Sequence, residues 1–260
     1  MKNALLVPGV FFLSFLCALI VLTFFGGLGF RYEFTGIGAA SATFLFLCIA
    51  QTLCRMLPII AMFAIIGVYA FLMRHRAKMS VAVSLLAVCL VFTVTVILPV
   101  CYAQVETITA SLRGFALQPT ADRALTDFLN KPLFLTAFIR VADVLFQDIY
   151  TLYKTNFVFY LIFIASYFFC VTSFWIFCIA TQWTMFNLLC IFVSAGGGLL
   201  LYPVLQSSVV QALLHNLHLA FNESLFGIPL TLSFIAVILH FIGILFVLIR
   251  SLKNKKRRAA

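Results

Sequence analysis

Long apolar runs recur along the whole chain, and about six of them reach 18 residues or more. An uncharged run of that length can cross the roughly 30 Å hydrocarbon core of a bilayer as one helix. The composition agrees, because 65% of the residues are hydrophobic and only 9% are charged, whereas soluble domains carry about 25% charged residues. The sequence therefore predicts an all-α, polytopic helical membrane protein.

One long polar interruption, residues 105–154, divides the apolar runs into two groups of three. It holds most of the acidic residues of the chain, namely Glu106, Asp122, Asp127, Asp143 and Asp148. This division predicts a first three-span half over 1–104, an outer amphipathic helical segment over 105–154 and a second three-span half over 155–260. The expected architecture is about six transmembrane helices in a 3+3 arrangement around the outer segment.

The second part of this interruption has the periodicity of a helix. From Leu133 onward apolar residues recur every three or four positions, and the polar residues form a stripe at the same spacing, through Arg140, Asp143, Gln147, Thr151 and Lys154. Upstream, Thr120 is a candidate N-cap for a short helix that ends near 130–132. Helices of this kind are expected to lie on the outer leaflet or to dock on one another above the spans.

The second apolar block, residues 36–73, is too long for one straight span. Its 38 residues would make a helix of about 57 Å, against roughly 30 Å of hydrocarbon. Pro58 lacks a backbone donor and Arg55 needs water or a headgroup, so a break is expected between Gln51 and Pro58. The block is predicted to form an interfacial helix near 38–50 and a span near 53–73.

Ten of the 17 Lys and Arg residues fall into three clusters that contain no acid: Lys2, the turn with Arg74, Arg76 and Lys78, and the tail from Arg250 to Arg258. Under the positive-inside rule, all three clusters lie in the cytoplasm, and so do both termini. The net charge of +10 is then explained by basic residues that orient the spans in the membrane and attract anionic lipid headgroups. Nucleic acid is not an expected partner.

Two features within the apolar runs are candidate functional sites. Arg55 is a charge within a span, which is costly and often functional. It either snorkels from the outer end of its helix or attracts an anionic lipid headgroup. Gly196, Gly197 and Gly198 form a small-residue patch that predicts close helix packing, against the first span or a partner subunit. His240, near the middle of the sixth run, is more typical of a hydrogen-bonded structural residue than of a proton relay.

Signatures of catalysis and of metal binding are missing from the sequence. The eight cysteines form no C-x-x-C pair, and His215, His218 and Glu223 are spaced unfavourably for a shared metal. No carboxylate lies inside an apolar run, which disfavours an intramembrane enzyme and a proton-coupled carrier. We therefore expect no enzyme activity, no catalytic residue, no cofactor and no metal.

The stretch Gln51-Thr-Leu-Cys-Arg-Met-Leu-Pro58, its apolar continuation and the charged turn at Arg74–Lys78 resemble the second span and cytoplasmic turn of one permease family. Ile228-Pro229, the following apolar run and Arg250 are similar to the last span of that family. These are the permeases of the lipopolysaccharide-export ABC transporter, whose central β-jellyroll is replaced here by about 50 residues with helical periodicity. The resemblance implies a bacterial cytoplasmic (inner) membrane location and docking of an ATPase at Arg74, Arg76 and Lys78.

The function expected from these features is that of a permease-type subunit that transports or presents a lipid or another amphiphile. Its partners would be membrane lipids, a separate cytoplasmic ATPase, and a partner permease or a second copy of the chain. The alternative is a membrane assembly or scaffold protein that binds another protein through its outer helices.

Overall fold

The computed structural model describes residues 5–31, 34–35, 42–75, 79–113, 118–119, 133–179, 183–205 and 224–259. This part of the chain is helical apart from one antiparallel pairing of two short strands. In chain order the elements are α1 (Val7–Arg31), β1 (Phe34–Thr35), α2 (Ala42–Arg74), α3 (Met79–Phe92), a π-helical segment (Thr93–Ile97), α4 (Leu98–Ala103), α5 (Val105–Arg113), β2 (Gln118–Pro119), α6 (Leu133–Thr155), α7 (Phe157–Thr172), a 3₁₀ segment (Ser173–Ile179), α8 (Thr184–Leu205) and α9 (Ser224–Ala259).

Five helical stretches of the described chain are long and apolar enough to cross a membrane. They are Val7–Phe24, Ala42–Arg74, Val81–Leu112, Phe157–Cys178 and Leu232–Ile249. Thr184–Leu199, within α8 in the second half of the chain, is apolar but shorter. The predicted class, an integral membrane protein of several helices, is confirmed, while the count of six and the 3+3 arrangement stay predictions.

The predicted break in the second block is wrong. α2 is one helix of 33 residues with Pro58 inside it, and at 1.5 Å per residue it is about 50 Å long. A proline removes one hydrogen bond from a helix, but here neighbouring helices bury Pro58 and the residues on both sides of it. The Tyr167 hydroxyl of α7 also donates to the Pro58 carbonyl at 3.4 Å. Tertiary packing therefore holds the helix continuous through the proline.

The part of α2 that exceeds the length of one span lies at the end of the bundle remote from Arg74, which we call the distal end. The helical run Val81–Leu112 is similarly long, with 32 residues, and it reaches the same end. Phe44 and Cys48 of α2 are buried there against Leu112 of α5, in a small cluster separate from the main core. The predicted interfacial helix near 38–50 is thus, from residue 42 onward, a continuation of the span.

α1 packs along α2 through a very close contact of small residues. A β-carbon placed on Gly67 of α2 would lie only 2.6 Å from the β-carbon of Ser14 of α1. Larger side chains on both helices, including Phe11 and Ile60, are buried on either side of this point. Glycine at position 67 is therefore what allows the two backbones to approach.

α6 and α7 form an antiparallel hairpin around Asn156. The Asn156 side chain caps α7 by accepting hydrogen bonds from the amides of Val158 and Phe159 at 3.1 and 3.3 Å. Near the turn the ring of Tyr153 meets that of Tyr160, with centroids 5.5 Å apart. Deeper in the bundle, Leu145 of α6 borders a small cavity together with residues near the C-terminal end of α7.

The apolar face of α6 belongs to the main core. Its buried residues, with at most 7% of their surface exposed, are Val141, Ala142, Leu145, Phe146, Ile149 and Leu152. The polar face is turned outward, and Lys154 forms an ion pair with Glu106 of α5 at 2.8 Å. The predicted helix is confirmed, but it packs between the long helices and not above them. The short helix predicted from Thr120 lies outside the described residues.

Candidate functional site

An apolar cavity of about 780 Å³ lies between α3, α7 and α9. Its size is within the range of about 300–1,000 Å³ that is typical of small-molecule sites. The wall is formed mostly by aliphatic and aromatic side chains, from Tyr69, Val83, Leu86, Ala87, Leu90, Val91, Val94, Thr95, Leu161, Ala165, Phe168, Phe169, Thr172, Trp175 and His240. Such a wall suits a hydrocarbon ligand.

Irregular helical segments form two parts of this wall. Val94 and Thr95 belong to the π-helical segment between α3 and α4, and Trp175 belongs to the 3₁₀ segment after α7. The wider turn at Val94 is held by the Tyr160 hydroxyl, which donates to the Val94 carbonyl at 3.1 Å. Single turns of π-helix occur frequently at functional sites, because they redirect the side chains of a helix.

The cavity is elongated along the helices. Val83 and Thr95 both border it and are 12 residues apart on one helical run, which corresponds to about 18 Å. Several wall residues, including Val91 and Phe169, are exposed on the surface of the bundle. A ligand in the cavity would therefore lie parallel to the helices and could enter from the side, as a lipid tail would.

Most polar groups at the wall are already used within the chain. The Tyr69 hydroxyl donates to the Thr172 carbonyl at 2.6 Å. The hydroxyls of Thr172 and Thr95 donate to carbonyls of their own helices at 2.9 and 2.7 Å. These bonds leave the wall with little capacity to bind a charged group.

His240 joins this wall, although the sequence favoured a structural role for it. Its imidazole stacks on Phe169, with centroids 4.8 Å apart, and lies 6.4 Å from the ring of Trp175. Its Nδ1 is 2.8 Å from the Ala236 carbonyl. The structural hydrogen bond is present, and Nε2 has no hydrogen-bond partner among the residues that the structure describes.

The charged residues singled out in the sequence lie away from the cavity. Arg55 is half-buried in α2, 19 residues and therefore about 28 Å from Arg74. This distance is close to the thickness of the hydrocarbon core, so the two charges are separated along α2 by about one hydrocarbon thickness. Arg74 is exposed at the end of α2, whereas Arg76 and Lys78 lie outside the described residues.

Among the described residues, the α8 glycines make no close contact with the first span. A β-carbon placed on Gly196, Gly197 or Gly198 would meet no atom of the described residues within 4 Å. α8 instead turns its buried residues Ala195 and Leu199 toward the core. A contact of the three glycines with a partner subunit stays a prediction.

No metal site emerges from the part of the chain that the structure describes. That part contains no group of three or more histidine, cysteine, aspartate or glutamate side chains close enough to hold an ion. His215, His218 and Glu223 fall outside it.

The cavity itself was not predicted from the sequence. Its wall combines residues of α2, α3, α7 and α9 that look like ordinary apolar positions, and nothing local distinguishes them from the rest of each run. Only the π-helical and 3₁₀ segments mark the place, and those irregularities have no signature in the residue pattern.

Comparison with protein-family models, with curated proteins and with solved structures finds no match for this chain.

Proposed function

We propose that this protein is a permease-type membrane subunit that binds a lipid or another amphiphile and presents or transports it. The observation that carries the proposal is the elongated apolar cavity between α3, α7 and α9. Burial of hydrocarbon there would supply the affinity, at about 0.8 kcal/mol for each methylene group removed from water. Labelling with a photoreactive lipid tests the proposal, and labelled peptides should map to these three helices.

The position of the opening also supports a lipid ligand. Val83 and Val91 are exposed beside the cavity on a helix apolar enough to cross the membrane. A molecule dissolved in the bilayer could reach the cavity from there without passing through water. For an amphiphile this route is favourable, because its tail stays among apolar groups throughout.

The scaffold alternative finds less support. It requires outer helices with an apolar face available for another protein. α6 has such a face, but its residues, among them Leu145 and Ile149, are buried in the core of this chain. The outward side of α6 carries Gln147, Thr151 and Lys154, which is typical of a face in contact with water.

The proposal includes a separate cytoplasmic ATPase and a partner permease or second copy. Purification in mild detergent followed by mass spectrometry should recover an ATPase together with the chain. Arg74 is exposed at the end of α2, so Arg74→Glu should lower this recovery severalfold, while Lys154→Glu at the other end of the bundle should leave it unchanged. Recovery of no ATPase, or equal recovery with both variants, would remove the transporter part of the proposal.

The proposed location is the bacterial cytoplasmic membrane, with both termini in the cytoplasm. Reporter fusions after Lys78 and after Arg258 should be active in the cytoplasm, and a fusion at Pro119 should be active on the other side. An external signal after Lys78 would invert this topology and place Arg74 on the outer surface.

A further inference from the structure

Two ring nitrogens at one part of the cavity wall have unused hydrogen-bonding capacity. They belong to His240 of α9 and Trp175 of the 3₁₀ segment, whose ring centroids are 6.4 Å apart. Over the described ranges, neither His240 Nε2 nor Trp175 Nε1 has a hydrogen-bond partner. Both residues border the cavity, so both nitrogens are available for hydrogen bonds to a molecule bound there.

The hydrogen bond of His240 determines what its free nitrogen can do. Nδ1 lies 2.8 Å from the Ala236 carbonyl, and a carbonyl oxygen can only accept. Nδ1 therefore carries the proton of this bond. In the neutral imidazole, Nε2 is then an acceptor.

Trp175 supplies a hydrogen-bond donor beside this acceptor. Its Cζ2 atom lies 2.9 Å from the point where a β-carbon of Gly243 would be, so the absence of a side chain at Gly243 seats the indole against α9, three residues after His240. The indole N–H can donate a hydrogen bond but cannot accept one. The wall thus offers one acceptor and one donor on neighbouring rings.

We propose that the ligand of this cavity is a slender apolar molecule with one hydroxyl group, a long-chain alcohol in the chemical sense. Its hydroxyl donates to His240 Nε2 and accepts from Trp175 Nε1–H, while its chain fills the apolar part of the cavity. A bare hydrocarbon leaves both nitrogens unpaired, and a carboxylate has no proton for His240. This proposal rests on the proposed function, since it specifies the class of ligand for the same cavity.

The test uses the full-length protein in lipid nanodiscs and three competitors of equal chain length against one photoreactive hydrocarbon label. A primary alcohol can donate and accept, its methyl ether can only accept, and the alkane can do neither. At equal mole fractions in the bilayer, the alcohol should displace the label about fivefold better than the ether, and the ether about fivefold better than the alkane.

Two variants separate the contributions of the two rings. His240→Phe keeps an aromatic ring beside Phe169 and should abolish the difference between alcohol and ether. Trp175→Phe keeps a ring beside Gly243 and should abolish the difference between ether and alkane. Size-exclusion chromatography and thermal unfolding in detergent serve as the controls for folding of both variants.

The outcomes distinguish this inference from the function on which it rests. If the wild-type protein takes up the label in the cavity but ranks the three competitors equally, the hydroxyl recognition is wrong and the lipid site stands. If the label does not map to the cavity at all, both proposals fall. A wild-type preference that persists in both variants would also overturn the roles of His240 and Trp175.

Discussion

Gly67→Leu is expected to separate α1 from α2 and to leave little folded protein in the membrane. A β-carbon at position 67 would already lie 2.6 Å from the Ser14 β-carbon, well inside the normal contact distance of about 3.5–4.0 Å. Overpacking a dense core costs about 1–3 kcal/mol and sometimes more, and leucine adds three further carbons. Size-exclusion chromatography and thermal unfolding in detergent should show aggregation or a large loss of thermal stability.

A smaller substitution makes this prediction sharper. Gly67→Ala should destabilise the protein measurably, and adding Ser14→Gly should restore most of the loss, because it removes the group that clashes. Gly9→Ala on α1 is the matched control, since a β-carbon there meets no atom of the described chain within 4 Å. If Gly67→Ala and Gly9→Ala behave alike, α1 does not pack on α2 through this contact.

Val91→Trp is expected to reduce photolabelling of the cavity by a lipid at least about tenfold, since an indole would occupy the space of the ligand and one such factor corresponds to only about 1.4 kcal/mol. Val88→Trp is a closely matched control, because Val88 and Val91 lie on the same helix with 65% and 61% of their surfaces exposed but only Val91 borders the cavity. Mass spectrometry of the labelled peptides measures both variants.

The opposite wall provides an independent version of the same experiment. Ala165→Trp on α7 fills the cavity from the other side and should have the same effect, while Ile162→Trp, exposed and outside the cavity wall, should not. Equal labelling of all four variants and the wild-type protein would mean that lipid does not bind between α3 and α7. The proposed function would then lose the observation that carries it.

The periodicity of the sequence correctly predicted which residues of one helix are buried. The apolar positions from Val141 to Leu152 have the spacing of a helix, and the structure buries them on one face of α6. The same pattern did not reveal what this face would meet. The apolar face of α6 could be buried either at the membrane interface or between long helices. Which of the two positions it takes depends on how α2, α7 and α8 are spaced.

For the glycines too, the sequence showed where close helix contact is possible but not where it occurs. Three consecutive glycines on α8 looked like the place of closest helix contact, yet in the described part of the chain no atom lies within 4 Å of the β-carbon that each would carry. The tight contacts occur instead at single glycines, Gly67 against Ser14 and Gly243 against Trp175. A glycine permits close approach, but whether a neighbouring helix uses it depends on the rotation and tilt of both helices.

The sequence by itself determined the class of this protein, because apolar runs of this length leave no alternative to helices buried in lipid. It also determined the helical nature of residues 133–155, through a periodicity that needs no tertiary contact. Only the tertiary structure decided that α2 continues through Pro58, that α6 lies within the bundle, and that a cavity opens between α3, α7 and α9. These features arise from contacts between residues far apart in the chain, and no local pattern encodes such contacts.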